Sequence, residues 1–178
     1  MPLQGGANAP LPNPYAYGNA WFVDKVSYVN NANEELSALS TTDLRHTAVA
    51  DKAFSDVLGQ SKANDSTATV RLEKYEPNKL EYSVSSKNGG VVVFSEIYYP
   101  GWNATVDGVE VPVGRANYIL RAISVKPGSH KVVLDFHPKS VSVTETIAYI
   151  ATAILMLMFV AIVIVKRKES KTGANSKE

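Results

Sequence analysis

Three aromatic residues fall within five positions of the stretch EIYYPGWNATVDG, residues 96 to 108, and three polar side chains follow soon after. Tyr98, Tyr99 and Trp102 offer flat faces on which a sugar ring can stack while their polar edges keep hydrogen-bonding capacity. Arg115, Asn117 and Arg121 could receive the hydroxyls or an anionic group of the same ligand. A second reading uses the same residues as structure. Strand alternation places Tyr98 and Tyr99 on opposite faces, and Pro100-Gly101 turns the chain before Trp102 begins another strand. One aromatic then plugs a corner while the others shield the turn. The spacing favours the plug without excluding the sugar site.

Other chemistries find little support. His46, His130 and His137 do not share a metal-binding spacing, since His130 and His137 bracket a strand and stand about 20 Å apart at about 3.3 Å per residue. No metal site is therefore expected. Glu34, Glu35, Asp43 and Asp51 include carboxylates at a helix start, where acidic residues answer the helix dipole, and nothing aligns them across a cleft as glycoside hydrolysis needs. The chain has no cysteine, so disulfides and thiol chemistry are absent. It carries no G-x-S-x-G nucleophile elbow and no Gly-rich phosphate loop, and no cofactor is expected.

The elements that must hold these residues are mostly strands. AWFVDKVSYV at 20–29 is β-rich, Asn33 before Glu34-Glu35-Leu36 predicts an N-cap and a short helix over 33–40, and Thr47–Ala50 predicts a brief strand. Residues 58–66 read as loop. Leu80, Tyr82 and Val84 alternate with Glu81, Ser83 and Ser85 after the turn pair Pro77-Asn78, which predicts a hairpin with one wet face. GGVVVFSEIYY is apolar on both faces and suits a central strand. Asp107-Gly108 predicts a tight hairpin turn, and YILRAISV and HKVVLDFHP give two more strands joined at Pro127-Gly128. The expected fold class is mainly β, an antiparallel, jelly-roll-like sandwich with a short N-terminal helix and one C-terminal transmembrane helix.

That last helix is the plainest feature. Ile147 to Val165 contains no charge, proline or glycine, and Lys166-Arg167-Lys168 follows it directly. Nineteen residues at about 1.5 Å rise cross the roughly 30 Å of bilayer hydrocarbon. The positive-inside rule puts the C-terminus in the cytoplasm and residues 1–140 outside. The expected domains are an irregular lead-in at 1–18, an extracytoplasmic β-sandwich at 19–140, a transmembrane helix at 143–166, and a basic, disordered cytoplasmic tail at 167–178. Before Lys166 the chain holds thirteen basic against fifteen acidic residues, which gives no electrostatic footprint for nucleic acid. The opening MPLQGGANAPLPNPYAYGNAW has no basic segment followed by an apolar one, so upstream helices of a longer parent are expected to deliver the domain across the membrane. A tail-anchored protein of opposite topology is the alternative, against which the KRK cluster argues.

The motifs YGNAWFV, NANEELSAL, YEPNKLEYSV, SEIYYPGWNATVDG and RANYILRAISVKPGSHKVVLDFHP occur in that order before the apolar span. From Tyr17 to Lys168 the chain resembles the C-terminal end of YfhO-family bacterial membrane proteins. The resemblance implies a long polytopic parent similar to C-type glycosyltransferases, with many helices, an extracytoplasmic domain and a last helix. Such proteins are implicated in moving sugars from a polyprenyl-phosphate carrier onto envelope polymers. Their catalytic acid lies in an early loop to which no position here corresponds, so no catalytic residue carries over. The resemblance implies a non-catalytic domain and anchor in the bacterial cytoplasmic membrane. Its implied partners are the lipid bilayer, the parent's upstream helices and a glycan or envelope polymer. Two other readings stand: a packing module without a ligand, and a self-contained single-pass glycan-binding protein.

Overall fold

The computed structural model describes residues 13, 15–61 and 65–175. Most of the expected lead-in, the middle of the 58–66 loop and the last three residues lie outside that set. The predicted 20–29 run is two strands, β1 (Ala20–Val23) and β2 (Lys25–Val29), separated at Asp24. The short helix α1 spans Ala32–Leu39. Its cap is Asn31 rather than the expected Asn33. The Asn31 side chain accepts the N–H groups of Asn33 and Glu34, and Glu34 reaches back to the N–H of Asn30. That backbone bond holds the Glu34 carboxyl below its usual range.

β3 (Thr47–Asp51) runs parallel to β2, then a 3-10 turn at Lys52–Phe54 and the single helical turn α2 (Ser55–Leu58) occupy a segment with no element predicted before residue 58. The hairpin follows as predicted, β4 (Thr69–Glu76) and β5 (Lys79–Ser86) joined by Pro77-Asn78. Next come β6 (Gly90–Ile97), β7 (Trp102–Val106) and β8 (Val109–Val111). Asp107 and Gly108 both take positive φ, 52° and 82°, as a two-residue hairpin turn of this handedness requires. The short β9 (Gly114–Ala116), which no pattern predicted, precedes β10 (Leu120–Val125) and β11 (Gly128–Phe136).

Two antiparallel sheets result, ordered β1-β6-β10-β9 and β4-β5-β11-β7-β8. Consecutive strands β10 and β11 do not pair with each other. The chain crosses between sheets at Lys126-Pro127, so β10 bonds β6 and β9 while β11 bonds β5 and β7. The main core draws Val92, Phe94 and Ile123 from one sheet and Leu80, Tyr82, Val132 and Leu134 from the other. A second core lies on the opposite face of the first sheet. There Val91, Val93 and Ala122 meet Val26, Ala48, Ala50 and Leu58. Burial on both faces is why β6 reads as the uninterrupted apolar run VVVF.

The β-domain closes at Phe136, and the chain from His137 on forms a separate unit. Its helix α3 covers Lys139–Asn175. Within it Val143–Ile164, 22 residues with a mean hydropathy of 2.8, is long and apolar enough to cross a membrane. The helix continues to Asn175, past the point where the sequence predicts a disordered tail. Lys, Arg, Glu and Ala are good helix formers, and adding residues to an existing helix avoids the cost of nucleation.

Candidate functional site

The residues singled out in the sequence divide into two groups. Tyr98, Arg115 and Asn117 gather at the three-residue turn Asn117-Tyr118-Ile119 between β9 and β10. Asn117 and Tyr118 both hold left-handed backbone there, with φ of 50° and 71°. That conformation is uncommon for asparagine and costly for a bulky tyrosine, so the surroundings must enforce it.

They do so from three sides. Asn117 donates its N–H to the Val49 carbonyl at 2.7 Å and accepts the Val49 N–H on Oδ1 at 2.9 Å, which ties the turn to β3. The Tyr98 N–H donates to the Ile119 carbonyl at 2.7 Å. From α1, Glu35 accepts the Tyr118 N–H on Oε1 at 2.8 Å and Arg115 Nη2 on Oε2 at 2.9 Å. Glu35 is fully buried, so what reads in the sequence as a dipole-facing helix residue is an internal brace. The Arg115 guanidinium lies 5.7 Å from the ring centres of both Phe54 and Tyr118.

Two open depressions have Ile119 as a common wall residue. The first, about 630 Å³, is walled by Tyr17, Trp21, Leu39 and Leu44, with Asn117 and Leu120 beside Ile119. The Tyr17 and Trp21 rings stand 5.0 Å apart at 56°, the indole N–H donates to the Leu44 carbonyl, and Arg45 caps the Tyr17 ring at 4.8 Å. The second, about 480 Å³, is lined by Phe54, Ile97, Tyr98, Arg115, Tyr118 and Ile119. Asn117 Nδ2 and Arg115 Nε are buried without a hydrogen-bond partner among the described residues. A buried donor without an acceptor costs about 1 to 3 kcal/mol.

Tyr99, Trp102 and Arg121 form the other group, around Phe136. The Phe136 ring is 5.2 Å from Trp102 and 6.3 Å from Tyr99. Arg121 is 1% exposed, its guanidinium carbon sits 3.9 Å over the Trp102 ring, and its Nη2 donates to Glu96 at 3.1 Å. Burial lowers the Arg121 pKa, with Glu96 opposing the shift, and pushes Tyr82 beside it up to about 12. Trp102 packs on the main core while Tyr99 stays exposed, the arrangement of the corner plug. Trp102→Ala is expected to remove about 2 kcal/mol, less than for a fully buried tryptophan. Thermal melting should show a midpoint lower by about 8 °C for a domain of this size. An unchanged midpoint would contradict the plug.

The carboxylates weighed for acid/base chemistry have structural partners. Glu34 accepts the Asn30 N–H ahead of α1, Asp51 caps the 3-10 turn, Asp43 accepts the Arg45 N–H, and Glu35 braces the turn. His46 and His130 pair with Asp24 and Asp107, each at 2.7 Å, and no group of three or more metal-ligating side chains gathers among the described residues. Tyr17, Trp21 and Tyr118 were not candidates in the sequence. The one local signal for Tyr118 is the Asn before it, a residue tolerant of left-handed backbone.

The family model described as bacterial membrane protein YfhO matches residues 35–148. The chain belongs to the YfhO family. No curated protein and no solved structure matches it. The YfhO match begins at Glu35 and ends inside the apolar stretch of α3, so it takes in the β9–β10 turn, its brace and the Trp102 group. Tyr17 and Trp21 lie before it. Membership of a bacterial membrane-protein family and the apolar helix together make this a membrane-associated chain.

Proposed function

We propose that the β-domain is the non-catalytic extracytoplasmic part of a YfhO-like protein that glycosylates cell-envelope polymers from a polyprenyl-phosphate sugar donor. In this reading α3 anchors the domain in the cytoplasmic membrane, and the domain helps to hold a glycan acceptor for the parent's upstream helices. The observation that carries it is YfhO membership joined to an apolar helix only six residues beyond β11. Lys166-Arg167-Lys168 supports a cytoplasmic C-terminus. The structural use of Glu34, Glu35, Asp43 and Asp51 supports a binding rather than a catalytic part.

The absence of cysteine makes the orientation directly testable. Val109 is 69% exposed on β8, so Val109→Cys places a single accessible thiol on the domain. A membrane-impermeant maleimide should label it in intact cells as fully as after lysis. Labelling only after lysis would overturn the extracytoplasmic placement. Cells in which residues 19–136 are deleted from the parent protein should show fewer sugar substituents on the envelope polymer, and an unchanged content would overturn the proposed role.

The Trp102 group favours a second, structural reading for its own three residues. Its arginine is nearly solvent-free and its part-buried tryptophan packs against the core, so the surface it offers a ligand is mainly the exposed Tyr99.

A further inference from the structure

We infer that the two depressions sharing Ile119 form one saccharide-binding groove, with the Tyr17–Trp21 pair as its stacking wall and Asn117 and Arg115 as its hydrogen-bond donors. This rests on the reading of the domain as a glycan-holding part and names the surface that does the holding. Four observations converge there. The first depression, about 630 Å³, has room for a sugar ring, and its neighbour of about 480 Å³ shares Ile119 with it. Aromatic side chains stand along both, Tyr17 and Trp21 in one and Phe54, Tyr98 and Tyr118 in the other. Asn117, 6% exposed, and Arg115 line the two depressions, and their donors Nδ2 and Nε, which no described residue satisfies, are buried in the turn beneath that surface. The turn between them is held in a left-handed conformation that the sequence alone would not adopt.

The chemistry selects the ligand. Pyranose rings present C–H faces that stack on aromatic rings, and their hydroxyl oxygens accept hydrogen bonds from the Asn117 amide and Arg115 Nε once a side-chain rotation brings these buried donors to the groove. An acyl chain would fill the apolar wall but leave both donors unmet. An anionic group gains little from Arg115, whose charge is already matched by the buried Glu35. A neutral sugar satisfies the wall and the donors together.

The test uses the full chain in lipid nanodiscs. Glucose, galactose and N-acetylglucosamine, each as monomer and β-linked trimer, serve as probes in saturation-transfer NMR and calorimetry. At least one trimer should bind saturably. Tyr17→Ala alters a part-exposed residue that no core cluster contains, and should weaken that binding at least tenfold. Asn117→Gly keeps the left-handed backbone accessible while deleting the amide, and should do the same in protein that still melts cooperatively. Tyr75→Ala, at an exposed position on β4, should leave affinity unchanged. Absence of binding by every probe would overturn the groove. So would binding insensitive to Tyr17→Ala and lost with Tyr99→Ala, which would place a sugar site at the Trp102 group and leave the wider glycan role standing. Thiol labelling reports on the domain's placement independently of either result.

Discussion

Replacing Glu35 with alanine is expected to destabilise the β-domain by about 3 kcal/mol, the lower end of the cost of breaking a buried ion pair. Two losses combine. The Arg115 guanidinium, 24% exposed, would keep its charge without its carboxylate, and the Tyr118 N–H would lose the acceptor that holds the left-handed turn. Partial solvation of Arg115 sets the estimate at the low end. Calorimetry should show a melting midpoint lower by about 12 °C. Glu35→Gln retains an acceptor for Tyr118 while removing the charge, and should fall between the two. Glu35→Ala with Arg115→Ala should recover part of the loss, since no stranded charge remains. A midpoint for Glu35→Ala within about 2 °C of the parent would mean that the brace contributes nothing, and the turn must be held by Val49 and Tyr98 alone.

The same residue marks the boundary between what the sequence discloses and what it does not. Glu34-Glu35 announces the first turn of a helix, and that local signal is sound because capping is decided within a few residues. Whether the helix faces solvent or a sheet depends on a partner 80 positions away, and no local pattern contains that. Strands were legible for the same reason. Alternation in β5 separates Leu80, Tyr82 and Val84 from Glu81, Ser83 and Ser85, and the Asp107-Gly108 turn has the predicted conformation. The run VVVF implied a strand covered on both sides, but not that the parallel pair β2–β3 with α2 supplies one of the covers.

Of the candidate site, residue types were readable and their grouping was not. Strand alternation placed Tyr98 and Tyr99 on opposite faces; β6 ends at Ile97, one residue before them, and past its end their rings still part, Tyr98 to Phe54 and Tyr99 to Phe136. Arg115 and Arg121 sit directly opposite each other in the β9–β10 register yet engage different acids, Glu35 and Glu96. That division follows from which segments pack beside them, and those segments are distant in sequence. The aromatic wall is not legible locally, because Tyr17 lies in a stretch whose proline and glycine content reads as irregular while Trp21 reads only as one residue of the β-rich run 20–29.

The sheet crossing makes a final, equally local prediction. Gly89 lies beneath the chain as it passes from β10 to β11, with φ of +67°. A Cβ there would stand 2.6 Å from the Val125 carbonyl oxygen and 2.8 Å from both Lys126 C and Pro127 N, all backbone atoms. No rotamer change can relieve such a clash, so the crossing itself must shift. Left-handed strain of about 1 kcal/mol and overpacking of about 2 kcal/mol put Gly89→Ala near 3 kcal/mol of lost stability. Gly108 provides the control. Its φ is +82° but nothing lies within 4 Å of a built Cβ, so Gly108→Ala should show the backbone strain alone, about 1 kcal/mol. Urea unfolding of both variants separates the terms: a Gly89→Ala loss no larger than that of Gly108→Ala would show that the crossing is loose. The larger loss would identify the passage from β10 to β11 as the point where the two sheets are fixed to each other through the backbone, a constraint that the Pro127-Gly128 turn signal leaves invisible.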